Sequence, residues 1–121
     1  MRKVILDTSS IVFAFSMKAN IFEAAEDQLR ARIVVSSGIM RELKGIASGR
    51  TKESRAARIA LEMMKRHAVD VVDDDRRADD WILDAGVAEG VYVCTNDMGL
   101  KRELRERGKR ALSVSENGVL R

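Results

Sequence analysis

The 121-residue sequence has no proline, one cysteine and one histidine. Each scarcity removes a class of chemistry. Cys94 alone cannot close an internal disulfide or supply a zinc cage, which takes several thiolate or imidazole ligands. His67 alone excludes a ribonuclease built on a histidine pair, and a serine triad would have to use His67 itself. Aromatics are sparse as well: Phe13, Phe15, Phe22, Trp81 and Tyr92 make up 4% of the chain. That is too few for the usual single-strand base-stacking platform. No run approaches the ~18 apolar residues that span a membrane. An aspartate at position 7 interrupts any signal-peptide core, so the expected location is cytoplasmic with no membrane contact. Hydrolytic chemistry in such a chain has to rest on carboxylates.

Apolar residues make up 45% and charged residues 34%, with a net charge of +3. This is enough apolar material for one core, and the length fits a single domain over 1–121. The charges are segregated. Between Asp70 and Asp84 seven aspartates face only Arg76 and Arg77, a local balance of −5. Between Lys101 and Arg110 six basic residues face Glu103 and Glu106, a balance of +4. The stretch 49–66 is also basic. Solvated, salt-bridged helices would look like this. So would an acidic site beside basic arms, the layout a metal-dependent enzyme needs for a polyanion.

Short β-branched runs alternate with helix-period segments along the chain. The runs are Val4-Ile5-Leu6, Ile33-Val34-Val35, Val69-Asp70-Val71-Val72, Val91-Tyr92-Val93-Cys94 and Ala111-Leu112-Ser113-Val114. The helical segments are about 11–30 (one or two helices), 38–48, 52–67, 76–89 and 98–107. This alternation predicts buried parallel strands joined by crossover helices, a three-layer α/β/α sandwich. Such sheets carry their sites at the carboxyl ends of the strands, at the switch point in strand order. There the sequence places Asp7-Thr8-Ser9-Ser10, then Ser36-Ser37-Gly38 with Glu42 following, then Asp73-Asp74-Asp75 with Asp79 and Asp80 following, and then Thr95-Asn96-Asp97.

Helical phase, at ~100° per residue, sorts these acids. In 76–89 the apolar stripe is Ala78, Trp81, Ile82, Ala85 and Ala88; Asp79 lies at its margin, while Asp80 and Asp84 point away. In 38–48 the stripe is Ile39, Leu43, Ile46 and Ala47, with Glu42 at its margin. Marginal carboxylates in the first turns of helices reach over the sheet edge toward Asp7 and Asp97. The chosen constellation is Asp7, Glu42, Asp79 and Asp97, with Asp80 secondary. Each also has a structural reading: Asp73 to Asp75 are expected to cap the helix after them, and Asp97 the helix over 98–107. Four carboxylates at one edge repel unless a cation sits among them. An all-oxygen ligand set selects Mg²⁺ or Mn²⁺ over zinc.

Val4-Ile5-Leu6-Asp7-Thr8, Arg41-Glu42-Leu43, Ala78-Asp79-Asp80 and Thr95-Asn96-Asp97 resemble, in order, the acidic motifs of PIN-domain nucleases. The resemblance covers about residues 3–115. Within that family, Asn20-Ile21-Phe22-Glu23 and the helix over 56–61 look like the branch that processes small-subunit ribosomal RNA. The toxins of toxin–antitoxin pairs belong to the same superfamily and have similar size. The resemblance implies a sheet of order 3-2-1-4-5, a divalent-metal site and endonucleolytic cleavage of RNA. It carries metal binding onto Asp7, Glu42, Asp79 and Asp97, with Thr95 as a supporting hydroxyl. It also implies an antitoxin or ribosome-assembly partner. Position 9 is Ser where the family often has Asn; Ser9 can still orient Asp7 through a hydrogen bond, as Thr8 and Thr95 can support their neighbours.

The expected reaction is in-line hydrolysis with one or two ions, leaving a 5′-phosphate and a 3′-hydroxyl. Lys101, Arg102 and Arg105 are expected to neutralise flanking phosphates. Phe13, Phe15 and Met17 read either as core or as a homodimer face, and His67 and Cys94 as packed residues. Two other functions compete. A phosphoacceptor receiver domain would use Asp7, Asp73 and Thr95, but it needs an acidic pair after the first strand and a lysine after the fifth, and neither is there. A catalytically idle scaffold of the same fold, binding RNA or protein, would leave the four acids without a role.

Overall fold

The computed structural model describes residues 2–121. Four short parallel strands, β1 (Lys3–Leu6), β2 (Arg32–Ser36), β3 (Val69–Val72) and β4 (Val91–Cys94), pair in the order β3-β2-β1-β4. Val4 of β1 lies opposite Ile33 on one side and Tyr92 on the other, and Ile33 lies opposite Val69. Six helices connect and follow the strands: α1 (Thr8–Ser16), α2 (Ile21–Ala24), α3 (Ser37–Ala47), α4 (Lys52–Met64), α5 (Ala78–Ala85) and α6 (Met98–Glu106). The expected segment 11–30 resolves into α1 and α2, the latter running on as a π-helical turn over Ala25–Leu29. α1, α3 and α4 pack on one another, and α5 packs on α6. Right-handed crossovers over this strand order put those two groups on opposite faces of the sheet. The result is the expected α/β/α sandwich. The chain order reverses at β1, between β2 and β4, so the switch point opens where Asp7 and Thr95 leave the sheet.

The core follows the predicted stripes except at Ala88, which is exposed because α5 ends at Ala85. Val4, Leu6, Val35, Ile39, Leu43, Ile82 and Val93 have no exposed surface, and Trp81 and Phe15 are also buried. His67 packs against Phe22 with ring centroids 5.7 Å apart, and its Nδ1 lies 2.8 Å from Glu26 Oε1. Of the three residues weighed as core or dimer face, Phe15 belongs to the core, Phe13 is half-buried and Met17 is exposed.

Two edges depart from expectation. β3 is not buried on both faces: it is an outer strand, with Val71 52% and Val72 41% exposed. The fifth run, 111–114, takes the place that the order 3-2-1-4-5 gives it but makes one parallel bridge, Leu112 to Cys94. Its other backbone groups pair elsewhere. Ser113 exchanges two bonds with Arg121, each 3.1 Å. The side-chain amide of Asn96 takes both the N–H and the C=O of Val114. Ala111, Val114 and Leu120 are buried against the β4 edge, so the tail closes this side without forming a full strand.

Helix starts explain how the site is aimed. Asp7, Asn20, Ser36, Thr51 and Asp97 each accept a backbone N–H at the start of α1, α2, α3, α4 and α6. These short polar side chains satisfy amides that have no partner inside the helix. The start of α5 differs. Arg77 offers no capping side chain there. Two of the three expected caps are engaged elsewhere: Asp74 binds Arg76, and Asp75 binds Ser37 and Arg41, while Asp73 is exposed. Glu42 of α3 fills the gap, its Oε2 accepting from Ala78 N at 3.1 Å.

Gly38 permits this approach. Its N–H donates to Asp74 O at 3.1 Å, and a Cβ at this position would stand 2.2 Å from Arg76 O. Gly38→Ala therefore has to push the 74–76 segment outward. The expected cost is about 1–3 kcal/mol, read as a lower urea midpoint with an unchanged slope; an unaltered midpoint would remove this contact from the account of α5 placement.

Candidate active site

The site begins at a residue that local rules already place. Asp7 ends β1, caps α1 and is only 4% exposed. Its Oδ1 accepts Thr8 N at 2.8 Å, and its Oδ2 accepts Ser9 Oγ at 3.0 Å and Thr95 Oγ1 at 2.7 Å. Each of those hydroxyls has one hydrogen, spends it on Asp7, and accepts a backbone N–H with its own oxygen. Asn96 N donates to Ser9 Oγ at 3.2 Å, and Asp97 N donates to Thr95 Oγ1 at 3.1 Å. Two relays thus run from the end of β4 into one carboxylate. Beneath them Ser10 Oγ shares its one hydrogen between the Asp7 and Cys94 carbonyls, at 2.8 and 3.1 Å.

Glu42 joins the other side. Thr8 Oγ1 donates to its Oε1 at 3.1 Å, while its Oε2 holds Ala78 N. Asp79 is next along the chain, half-buried at the start of α5. Asp97 Oδ1 accepts Leu100 N at 3.1 Å as the cap of α6. Depth is graded: Asp7 is buried, Asp79 intermediate, and Glu42 and Asp97 are exposed. Asp80 points to solvent, as its helical phase predicts.

The electrostatics link the four carboxylates without bringing them into one cluster. Burial pushes the Asp7 carboxyl above the usual carboxylate range, and the Asp79 charge adds to this; the bonds from Thr95, Ser9 and Thr8 oppose it without cancelling it. Asp79 is raised by burial first, then by the charge of Asp97, with Glu42 and Glu103 adding and Arg77 opposing. Among the described residues none of the four is ion-paired, whereas Glu26, Glu62, Asp70, Asp74, Asp75 and Asp84 all are. As they stand, no three acidic, thiol or imidazole side chains among the described residues converge closely enough to hold an ion.

Of the basic residues expected at phosphates, Lys101 and Arg105 line one groove with Arg110 and Arg121, while Arg102 is exposed outside that lining. Sequence reasoning missed Glu103, Arg110 and Arg121. Glu103 acts on Asp79 from a different helix, so no single-helix periodicity links them. Arg110 and Arg121 meet only because the tail folds back on Ser113.

Fold and site together define a parallel α/β sandwich with acids that lack ion-pair partners, among the described residues, along the sheet edge at its switch point. The PIN-like domain family matches residues 4–116, and the chain belongs to it. Ribonuclease VapC9 of Archaeoglobus fulgidus is 29% identical over 108 residues, covering 88% of this chain and 78% of that protein. The structure of the PIN domain endonuclease Utp24 superposes with a TM-score of 0.77 at 30% identity, covering 98% of this chain and 89% of that one.

The raised Asp7 has a consequence for stability. A carboxyl whose folded pKa lies above its unfolded value binds more protons when folded. It costs stability once the pH exceeds the unfolded value, near 3.8, and the cost grows until the folded pKa is passed. Asp7→Asn removes the charge and keeps the shape. The variant should melt a few degrees above wild type at neutral pH, with the gain fading as the pH falls toward the ordinary carboxylate range. A variant that melts lower at neutral pH would mean that the hydrogen bonds outweigh the burial.

Proposed function

We propose that this protein is an endoribonuclease that hydrolyses RNA phosphodiester bonds with Mg²⁺ or Mn²⁺ held by Asp7, Glu42, Asp79 and Asp97. One observation carries the reading: four carboxylates along one sheet edge have no ion-pair partner among the described residues and act on one another, Asp79 on Asp7, and Asp97 and Glu42 on Asp79. The ribonuclease and endonuclease named among the similar proteins support it. The reading treats residues 1–121 as one working unit.

The donor chemistry fits a hard divalent ion. Every candidate ligand is a carboxylate oxygen, and a cation relieves the repulsion that raises Asp79. Asp7 has about four lone-pair sites and three donors, so Oδ1 keeps one lone pair for a ligand. Closing the set requires the rim side chains to move together, and Asp97 Oδ2 and the second lone pairs of Glu42 leave acceptors for that. A divalent ion there supplies Lewis-acid activation of water and neutralises charge at the scissile phosphate. The chain's own groups do the rest. Ser9 and Thr95 fix the Asp7 carboxylate, Thr8 orients Glu42, and Asp80 adds negative charge at the rim. Lys101, Arg102 and Arg105 offset the charge of neighbouring phosphates. In-line attack by water with loss of the 3′-oxygen leaves a 5′-phosphate and a 3′-hydroxyl. The proposed partners are RNA, an antitoxin or ribosome-assembly factor, and a second copy of the chain through the exposed Met17 side of α1.

Labelled single-stranded RNA incubated with Mg²⁺, Mn²⁺ or EDTA tests the reading. Wild type and Asp73→Asn should cleave with metal only. Asp7→Asn and Asp97→Asn should fall to background while staying folded, because Asn caps a helix about as well as Asp. Thr95→Val, which removes a hydroxyl behind a ligand, should lose about 10–100-fold. A wild type inert toward several RNAs with both metals would favour the idle scaffold, and full activity in a folded Asp97→Asn would remove that residue from the mechanism.

A further inference from the structure

Along α6 and the chain's tail lies a groove of about 440 Å³ lined by Lys101, Arg105, Arg110, Ala111 and Arg121. Four of its five residues are cations, and none of the four is ion-paired among the described residues. Among the described residues three arginines are ion-paired, Arg32 to Asp70, Arg41 to Asp75, and Arg76 to Asp74 and Asp84; what sets these four cations apart is that they share one concavity. Like charges converging on a concavity with no acid among them repel one another, so an anion stabilises the arrangement.

The groove is built by the tail and by one face of α6. Asp97, Lys101 and Arg105 follow one another at four-residue spacing, so they form a single stripe that climbs ~6 Å per step. The stripe starts at a rim carboxylate and ends among the guanidinium groups. The opposite wall comes from the segment that stops short of being a fifth strand. Arg121 is held there by its two backbone bonds to Ser113. Lys101 Nζ donates to Ser113 Oγ, which donates to Thr95 O, so the groove floor is tied to the same strand end that fixes Asp7. No aromatic or amide side chain lines the groove. Arginine can itself stack on a base or bond to a guanine edge, but with no aromatic or amide side chain beside it the chemistry all four cations share is recognition of phosphodiester charge.

We propose that this groove is a sequence-independent track for the RNA backbone on one flank of the cut, with Arg105, Arg110 and Arg121 holding successive phosphodiesters. The proposal rests on the nuclease reading above but is testable apart from it, because binding can be measured without cleavage. In the Asp7→Asn protein with EDTA, the affinity for a labelled single-stranded RNA is followed against salt. Replacing Arg105, Arg110 and Arg121 by Gln should weaken binding and flatten the log–log salt slope by about 2, at ~0.7 per lost contact. Replacing Arg50, Lys52 and Arg55, exposed at the start of α4, should leave the slope in place. RNA with uncharged methylphosphonate linkages on one flank should bind the parent protein more weakly and the groove variant no more weakly than unmodified RNA does. An unchanged slope in the groove variant, or equal losses in both triple variants, would overturn the track. A groove variant that loses pyrophosphate binding but not RNA binding would overturn it too, in favour of a small-anion site. An inactive wild type with the groove effect intact would sink only the nuclease reading.

Discussion

The structure turns on one carboxylate kept out of water where it would least be expected to stay charged. Asp7 ends the central strand, caps the first helix and receives three hydrogen bonds, two of them from hydroxyls held by the backbone at the end of β4. Burial alone favours the neutral form, and three donors favour the charged one. The contest leaves the group raised but fully engaged. The strand order makes this possible. Only at the switch point do two adjacent strands send their following chains to opposite faces, so β1 and β4 leave a gap that Ser9 and Thr95 fill.

The same constraint organises the rest of the rim. α5 arrives from the far edge of the sheet without a capping residue of its own, and Glu42 supplies one from α3. That single contact couples the position of Asp79 to the helix after β2, and Thr8 couples Glu42 back to the helix after β1. Three crossover units thus meet in one hydrogen-bonded set. The rim is costly by itself: its acids lack cations while arginines nearby go unpaired in the groove along α6. Mixing the two would lower the energy of the free protein. Keeping them apart leaves one surface of negative and one of positive potential on the same domain.

Much of this could be read from the residues. Strand ends, helix phase and the marginal placement of Glu42 and Asp79 depend on local periodicity, which survives folding unchanged. The acids that share a sheet edge were legible because a parallel sheet sends every strand the same way. What was not legible depends on pairing between distant segments. Val69–Val72 reads as a buried strand because it is β-branched, yet it lies at the edge of the sheet. Residues 111–114 read as a strand, but the Asn96 side chain and the return of the chain at Arg121 take its bonds. The aspartates at 73–75 read as caps, but Arg76, Ser37 and Arg41 claim two of them. In each case composition gave the residue a plausible local partner, and a tertiary contact took precedence.

Cys94 sits in β4 directly under this network, wholly buried, and burial pushes its thiol up to about 12. Alkylating reagents attack the thiolate, so in the closed state this sulfur is chemically silent. It is also the chain's sole sulfhydryl. Its rate of modification by a thiol reagent is therefore a built-in clock for how often the heart of the sheet breathes, readable on unlabelled protein with no added probe.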